Sequence, residues 1–595
     1  MAGGAPTYDT VTYGSVGYAQ HVTSSSVSLP RPAAYPRGVP REVIVPDEPL
    51  GASLRRSTER FGDRAAVDFL GRQWTYRELS DEVARAAQVL VDLGVRAGDR
   101  VALVLPNCAA HIVAFHAVLR IGAVVVEHNP TYTVEALRHQ LADSGASVAL
   151  VWTKAVPAVI EARGEALRHV VAVDMAADLP RLKQLALRLP LPPARTKRQA
   201  MCGPVPSQVP SWHRLVAAAR PLPDDHPWPA SSDIALVQYT GGTTGTPKGA
   251  IISHRNLLAN VVQARAWIGE RDGTDVFYAA LPFFHAFGLT VCLAYGTDSA
   301  ATLVVFPNFD ADMVLAAQRR LPATFLPAVP PMLDRLAKAA SASGTDLTSI
   351  GHAISGAMSL PADVARRWEE LTGGLVIEGY GMTETSPVAL GNPFDDSRRP
   401  GALGLVWPST EIRLVDQEDP SRDVAPGESG ELLIRGPQVF GGYWNMPDET
   451  AHQLLPDGWL RTGDVVRIEP DGFVVLVDRM KEMINAGGFK VYPSQVEEQL
   501  RTMPGIADVA VVGEPAGEHG ETVVAAIVLE EGAHGIDLAA VREWCAQRLP
   551  RYQMPRRLVV LPDLPRSQVG KVLRRVVREI VVAMPKPVEP TTSLG

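Results

Sequence analysis

The segment Tyr239-Thr-Gly-Gly-Thr-Thr-Gly-Thr-Pro-Lys-Gly249 gathers more anion-binding groups than any other stretch of the chain. Gly241, Gly242 and Gly245 let the backbone approach an anion closely, and successive N–H groups there can form a nest. Thr240, Thr243 and Thr244 add hydroxyl donors, and Lys248 adds a charge. The segment is not a Walker A loop, because Gly249 follows the lysine where a metal-binding Ser or Thr would stand. The bland alternative is a flexible Gly/Thr-rich turn. Four threonines, interspersed glycines and a Pro-Lys-Gly end argue against it.

Four further segments carry groups that fit a phosphate chemistry. Gly379-Tyr-Gly-Met-Thr-Glu-Thr385 puts an aromatic ring (Tyr380), a hydroxyl (Thr383) and a carboxylate (Glu384) on one turn with Gly381 at its centre. Alone, Glu384 would read as a solvated loop glutamate. Asp457-Gly-Trp-Leu-Arg-Thr-Gly-Asp464 ends on a carboxylate that could accept both hydroxyls of a ribose, although turn aspartates more often cap backbone N–H groups. Leu281-Pro-Phe-Phe-His-Ala-Phe-Gly288 sets Phe284 and His285 among apolar residues, where a lone histidine is usually a satisfied core residue. Lys571, in Arg566-Ser-Gln-Val-Gly-Lys571, is one lysine on a late loop and suits a transition state that builds negative charge. Its bland reading is one more basic surface residue, since Arg574, Arg575 and Arg578 follow.

With these motifs in this order, over roughly residues 46–580, the chain resembles the adenylate-forming superfamily of acyl-CoA synthetases, adenylation domains and luciferases. Within it, the chain looks most like bacterial long-chain fatty-acid:CoA ligases, through Asn129-Pro-Thr-Tyr-Thr, Gly436-Pro-Gln-Val-Phe-Gly-Gly-Tyr-Trp and Pro565-Arg-Ser-Gln-Val-Gly-Lys571. The resemblance implies ATP, Mg²⁺ and coenzyme A as partners of a fatty acid. It implies nucleotide contacts from Thr240, Gly241, Gly242, Thr243, Thr244, Gly245, Lys248, Gly379, Tyr380, Gly381, Thr383, Asp464, Arg479 and Lys571. Tyr380 would stack near the adenine, Thr383 would meet phosphate and Asp464 would hold the ribose, with Arg479 as a second contact. Metal contact falls to Glu384 and Thr240, and catalysis to Lys571, Lys248, Thr383 and Glu384. His285, Phe284, Gly356, Ala357 and Met382 would wall the acid pocket. His285 is given no base role, because a carboxylate is already ionised at neutral pH. In Asp478-Arg-Met-Lys-Glu-Met-Ile-Asn-Ala-Gly-Gly-Phe489, Lys481 matches the hinge position, and Gly487, Gly488 and Phe489 match the part used for thioester formation. The run Ala486-Gly-Gly-Phe-Lys490 departs from the frequent Val-Ser-Gly-Phe-Asn, which leaves chain length open. Rival readings are transfer to a carrier protein, a CoA ligase for a medium-chain, cyclic or aromatic acid, and a non-catalytic nucleotide-binding or sensor protein, against which Lys248, Glu384, Asp464 and Lys571 together speak.

The elements around these motifs predict their placement. Short β-branched runs such as Arg100-Val-Ala-Leu-Val104 and Ser147-Val-Ala-Leu-Val151 alternate with amphipathic stretches at 76–93 and 134–143. That pattern is α/β, with buried and mainly parallel sheets. From 402 to 477 the strands shorten and the turns close up, which predicts a small antiparallel, barrel-like subdomain. Helical and strand patterns restart beyond it. The expected architecture is therefore a flexible tail (1–44), a large domain of layered α/β subdomains with its β subdomain (45–478), a small mobile α+β C-terminal domain (479–584) and a second tail (585–595).

The net charge of −8 over 595 residues gives no nucleic-acid signature. Four scattered cysteines read as reduced thiols of a cytoplasmic protein, monomeric or homodimeric. One segment is set apart. Residues 179–223 hold no Asp or Glu but contain Arg181, Lys183, Arg188, Arg195, Lys197, Arg198, Arg214 and Arg220. Leu182, Leu185, Ala186 and Leu189 fall at helical spacing, with Trp212 as an interfacial anchor. This reads either as a solvated excursion packed on the body or as a reversible dock on anionic lipid at the inner face of a membrane.

Overall fold

In the computed structural model, residues 35–240, 247–269, 271–486, 489–516, 520–567 and 570–585 are described. Two large sheets organise the N-terminal domain. The first has six strands in the order His169–Val173, Val148–Trp152, Arg100–Val104, Val124–His128, Ile234–Thr240 and Lys248–Ser253. All its pairs are parallel except the last, where the chain turns straight back on itself. All 5 residues of Val124–His128 are buried, as expected of a parallel strand covered by helices on both faces.

The second sheet has nine strands. Its parallel core runs through Leu375–Gly381, His352–Ser355, Phe325–Ala328, Val276–Ala279, Thr302–Val305 and Ala65–Phe69. Antiparallel strands close each edge: Arg72–Thr75 on one side, Val388–Gly391 and Leu405–Val406 on the other.

Local chemistry sets the helix starts. The hydroxyl of Thr75 accepts the Glu78 N–H while Glu78 reaches back to the Thr75 N–H, a reciprocal cap on Tyr76–Asp92. Ser253 and Asn256 do the same for His254–Ile268, so this helix begins directly after the strand that carries Lys248.

Strands Glu411–Val415, Ser429–Arg435, Leu460–Ile468 and Val474–Arg479 form a four-stranded antiparallel sheet in sequence order. It is an open meander rather than the barrel expected, since its first and last strands do not pair. Leu405–Val406, placed in this subdomain by the sequence pattern, instead extends the nine-stranded sheet.

The small C-terminal domain packs Pro493–Arg501 and Leu538–Ala546 on one face of a three-stranded sheet and Arg574–Ala583 on the other. Each face has its own apolar cluster, one around Val496, Val511 and Val541 and one around Val512, Val577 and Val581.

The basic segment forms helices Arg181–Leu187 and Pro192–Met201, neither with a buried residue. Trp212 is not an interfacial anchor. It is 1% exposed within the main core, where the ring gains far more from burial than from a surface position. Among the described residues, no helix is long and apolar enough to cross a membrane.

Candidate active site

Lys248 opens the return strand after the glycine-rich loop and is 7% exposed. Its ammonium is paired with Glu449 and stands 5.3 Å from the centre of the Tyr443 ring. The Thr240 hydroxyl donates to the Lys248 carbonyl oxygen at 3.4 Å. Gly241, Gly242, Thr243, Thr244 and Gly245 lie outside the described residues.

The turn after Leu375–Gly381 delivers the second set of groups. A Cβ on Gly381 would lie 1.7 Å from the Pro387 carbonyl oxygen, so only glycine fits there. One on Gly379 would stand 3.4 Å from the Ile354 side chain. Thr383 opens the short 3-10 turn Thr383–Thr385, and Glu384 within it is buried. The Tyr443 hydroxyl donates to Glu384 Oε1 at 2.6 Å. Burial pushes the Glu384 carboxyl above its ordinary range, against the pull of that hydrogen bond and of Lys481 and Lys248.

Tyr380 is 8% exposed and belongs to an apolar cluster with Leu390, Leu432 and Val466. Its hydroxyl donates to Asp464 Oδ2 at 2.6 Å, so here it orients that carboxylate. Arg479 Nε reaches Asp464 Oδ1 at 3.1 Å from the paired position on the neighbouring strand.

Lys571 comes from the small domain. Ser567 clips its loop, donating its N–H to the Lys571 carbonyl and accepting the Lys571 N–H on its hydroxyl. Burial, reinforced by the positive charge of Arg479, pushes the Lys571 ammonium down to about 8; Glu482 and Asp464 pull the other way. The lysine is thus within electrostatic reach of the Asp464–Arg479 pair.

The link between the domains is tethered on both sides. Arg479 is held by Asp464, whereas Glu482 is paired with Arg574 of the small domain. Between them, Lys481 is exposed in the one-turn helix Met480–Glu482. Asp478 reaches across to accept the Ser494 N–H at 2.9 Å. Phe489, 57% exposed, stacks on Tyr552 with centroids 5.0 Å apart. Gly487 and Gly488 lie outside the described residues.

A cavity of about 990 Å³ opens beside the Lys571 loop, with Arg566, Ser567 and Gly570 in its wall. It runs past Phe284, Val329, Met332, Phe309 and Met313 to Trp152, Met175, Leu187 and Met201. Among the described residues no acidic one lines it, while Lys183, Lys197, Arg335 and Arg566 do. Of the residues expected to wall the acid pocket, Phe284 lines this cavity, and His285, Gly356, Ala357 and Met382 are not among its lining residues. A Cβ on Gly356 would meet the Phe287 ring at 2.9 Å, so the ring packs directly against this glycine. Burial pushes the His285 imidazole down to about 4, which keeps it neutral.

Sequence reasoning missed several residues around this site. Asn107 accepts the Phe283 N–H at 2.8 Å and donates to the Leu281 carbonyl at 2.7 Å, and Gln238 donates to the Phe284 carbonyl at 3.0 Å. Together they fix the turn that carries Phe284 and His285. Tyr443 was in view only as part of the Gly-Gly-Tyr-Trp run, and the far end of the cavity came from the basic segment read as surface.

The fold and this site define a nucleotide-dependent acid-activating class, and comparison with known proteins agrees. The chain matches the AMP-binding enzyme family over residues 54–444 and the AMP-binding enzyme C-terminal domain over 495–571. It belongs to the AMP-binding enzyme family. It is 34% identical to a long-chain-fatty-acid–CoA ligase of Bacillus subtilis, covering 91% of this chain and 96% of that protein. For the enzyme of that name from Salmonella typhimurium the values are 36%, 92% and 97%. Among solved structures, ATP-bound MatB from Rhodopseudomonas palustris superposes with a TM-score of 0.77 at 30% identity, covering 90% of this chain and 99% of that one. The anthranilate CoA ligase AuaEII with anthranoyl-AMP gives 0.76 at 25%, covering 90% and 98%.

Proposed function

We propose that the protein is an ATP-dependent fatty-acid:CoA ligase that works through an acyl-adenylate. One observation carries the reading. Lys571 stands within electrostatic reach of Asp464 and Arg479, Glu384 within that of Lys248 and Lys481, and an apolar cavity with no acidic group among its described lining residues opens beside the Lys571 loop. The long-chain ligases to which the chain is similar support the same substrate class.

In the first half-reaction a carboxylate oxygen attacks the α-phosphorus of ATP and pyrophosphate leaves. Lys248 faces the terminal phosphates, Thr383 the phosphate chain, and Lys571 the oxygens on which charge builds. Asp464, oriented by Tyr380 and Arg479, accepts the ribose hydroxyls. Glu384, a buried carboxylate with a hydroxyl donor on one oxygen, suits Mg²⁺, which takes one or two carboxylates plus substrate phosphates. When bound, the ion would offset phosphate charge. In the second half-reaction the CoA sulfur attacks the acyl carbon and AMP departs with the former carboxylate oxygen. Rotation of the small domain about Lys481 withdraws Lys571 between the two steps.

The cavity is read as the site of the alkyl chain. Its volume is at the upper end of the ~300–1,000 Å³ common for ligand sites, and Met175, Met201, Met313 and Met332 can adapt to a flexible chain. Ala186→Trp should therefore lower kcat/KM for palmitate at least about tenfold while octanoate is little affected, as a bulky ring clashes only with what reaches it. CoA-dependent AMP formation across acids of increasing length measures this. Equal effects on both acids would place the chain elsewhere.

The cavity wall also faces outward. Leu182, Leu185, Leu189 and Leu191 are 81, 59, 51 and 55% exposed among the basic residues of 179–223. We read this face as a weak dock on anionic lipid, where fatty acids partition. Each basic residue near such a surface contributes about 1 kcal/mol. The protein should co-sediment with phosphatidylglycerol vesicles at low salt and be released at high salt. Replacing Arg195, Lys197 and Arg198 together by Gln should abolish the low-salt binding; unchanged binding would rule the dock out.

A further inference from the structure

Lys248 is paired with an anion of the protein's own, and this bears on how nucleotide enters and pyrophosphate leaves. The partner, Glu449, stands on helix Pro447–Gln453 just beyond Tyr443. That helix is fixed in place, since the Thr450 hydroxyl accepts the Tyr443 N–H at 2.8 Å and donates to the Met446 carbonyl at 2.8 Å. The Lys248 side chain is 9% exposed and Glu449 45% exposed, so the carboxylate reaches the lysine from the solvent side. Lys248 foremost, with His452 and Lys481, holds the Glu449 carboxyl below its usual range. Lys481 and Lys248 also act on Glu384. Positive charge from Lys248 and Lys481 thus converges where one exposed carboxylate now stands.

We propose that Glu449 is a resident stand-in for the terminal phosphates: an internal anion that Mg-polyphosphate must displace from Lys248, and that returns as pyrophosphate departs. The inference rests on reading the locus as a polyphosphate site. A nearly buried ammonium left without a counter-ion is unfavourable, so the pair stabilises the site between turnovers. It also weakens retention of pyrophosphate, because each departing anion is replaced by one already in place.

The test is calorimetric titration of the full-length protein with magnesium pyrophosphate. Glu449→Gln keeps the shape and removes the charge, and should tighten binding about two- to fivefold, the scale of a partly exposed ion pair. The gain should vanish when Lys248→Gln is combined with it, because the two residues act as one unit. Inhibition of turnover by pyrophosphate should strengthen in the same proportion. If wild type binds magnesium pyrophosphate but Glu449→Gln binds it equally or more weakly, the stand-in role is wrong. A gain that persists in the double variant likewise overturns it. If wild type does not bind magnesium pyrophosphate at all, the polyphosphate site and the stand-in role fall together.

Discussion

Lys571→Ala should slow acyl-adenylate formation by about 10²–10³-fold, the loss typical when one preorganised donor to a developing charge is removed. The same variant should still convert supplied acyl-adenylate and CoA to thioester at near the wild-type rate, since the proposed mechanism needs the lysine only in the first half-reaction. Acid-dependent ATP–pyrophosphate exchange reads the first step, and thioester formation from synthetic adenylate reads the second. Equal loss of both would mean a shared or structural role. The pH profile adds a second readout. Burial and Arg479 bring the ammonium down to about 8, and it is the protonated form that stabilises charge. The kcat/KM for ATP, which reports the free enzyme, should fall as pH rises through that value and lose this limb in Lys571→Ala.

Lys481→Pro should give the opposite division. The tethers on either side, Asp464 to Arg479 and Arg574 to Glu482, leave Met480 and Lys481 to absorb any rotation of the small domain. Proline fixes φ near −65° and restricts the preceding residue as well, so it can keep one state while resisting the other. ATP–pyrophosphate exchange should persist while CoA-dependent turnover drops at least about tenfold, a loss of about 1.4 kcal/mol or more in the barrier. Unchanged turnover would put the pivot elsewhere.

How much of this was legible from residue order differs by region for physical reasons. The parallel strands were plain because β-branched runs buried on both faces have few other solutions, and Arg100–Val104 and Val148–Trp152 lie where the pattern put them. The helix at 76–93 was equally clear from its apolar period. Short antiparallel strands carry less information. Nothing in Leu405–Val406 says which of two sheets it joins, and closure of a meander depends on edges far apart in sequence.

In the site, motif glycines announced themselves. Gly381 can be nothing else with a carbonyl 1.7 Å from its Cβ position. What a polar side chain touches did not show. Nothing in the order of residues around Tyr380 says that its hydroxyl holds Asp464. Trp212 failed as an anchor for the same reason, because an aromatic residue in a basic segment has no local signal that separates surface from core. The cavity was invisible because its walls come from both large sheets, the basic helices and the Lys571 loop.

The central claim, that a carboxylate attacks the α-phosphorus and the acyl group then passes to CoA, is tested most directly with palmitate labelled with ¹⁸O in its carboxyl group. Turned over with unlabelled ATP and CoA, it should yield AMP carrying one labelled oxygen, because that oxygen bridges carbon and phosphorus in the adenylate and leaves with the phosphate. Palmitoyl-CoA and unlabelled pyrophosphate should form in step with it. AMP without label, or label in inorganic phosphate accompanied by ADP, would contradict the account.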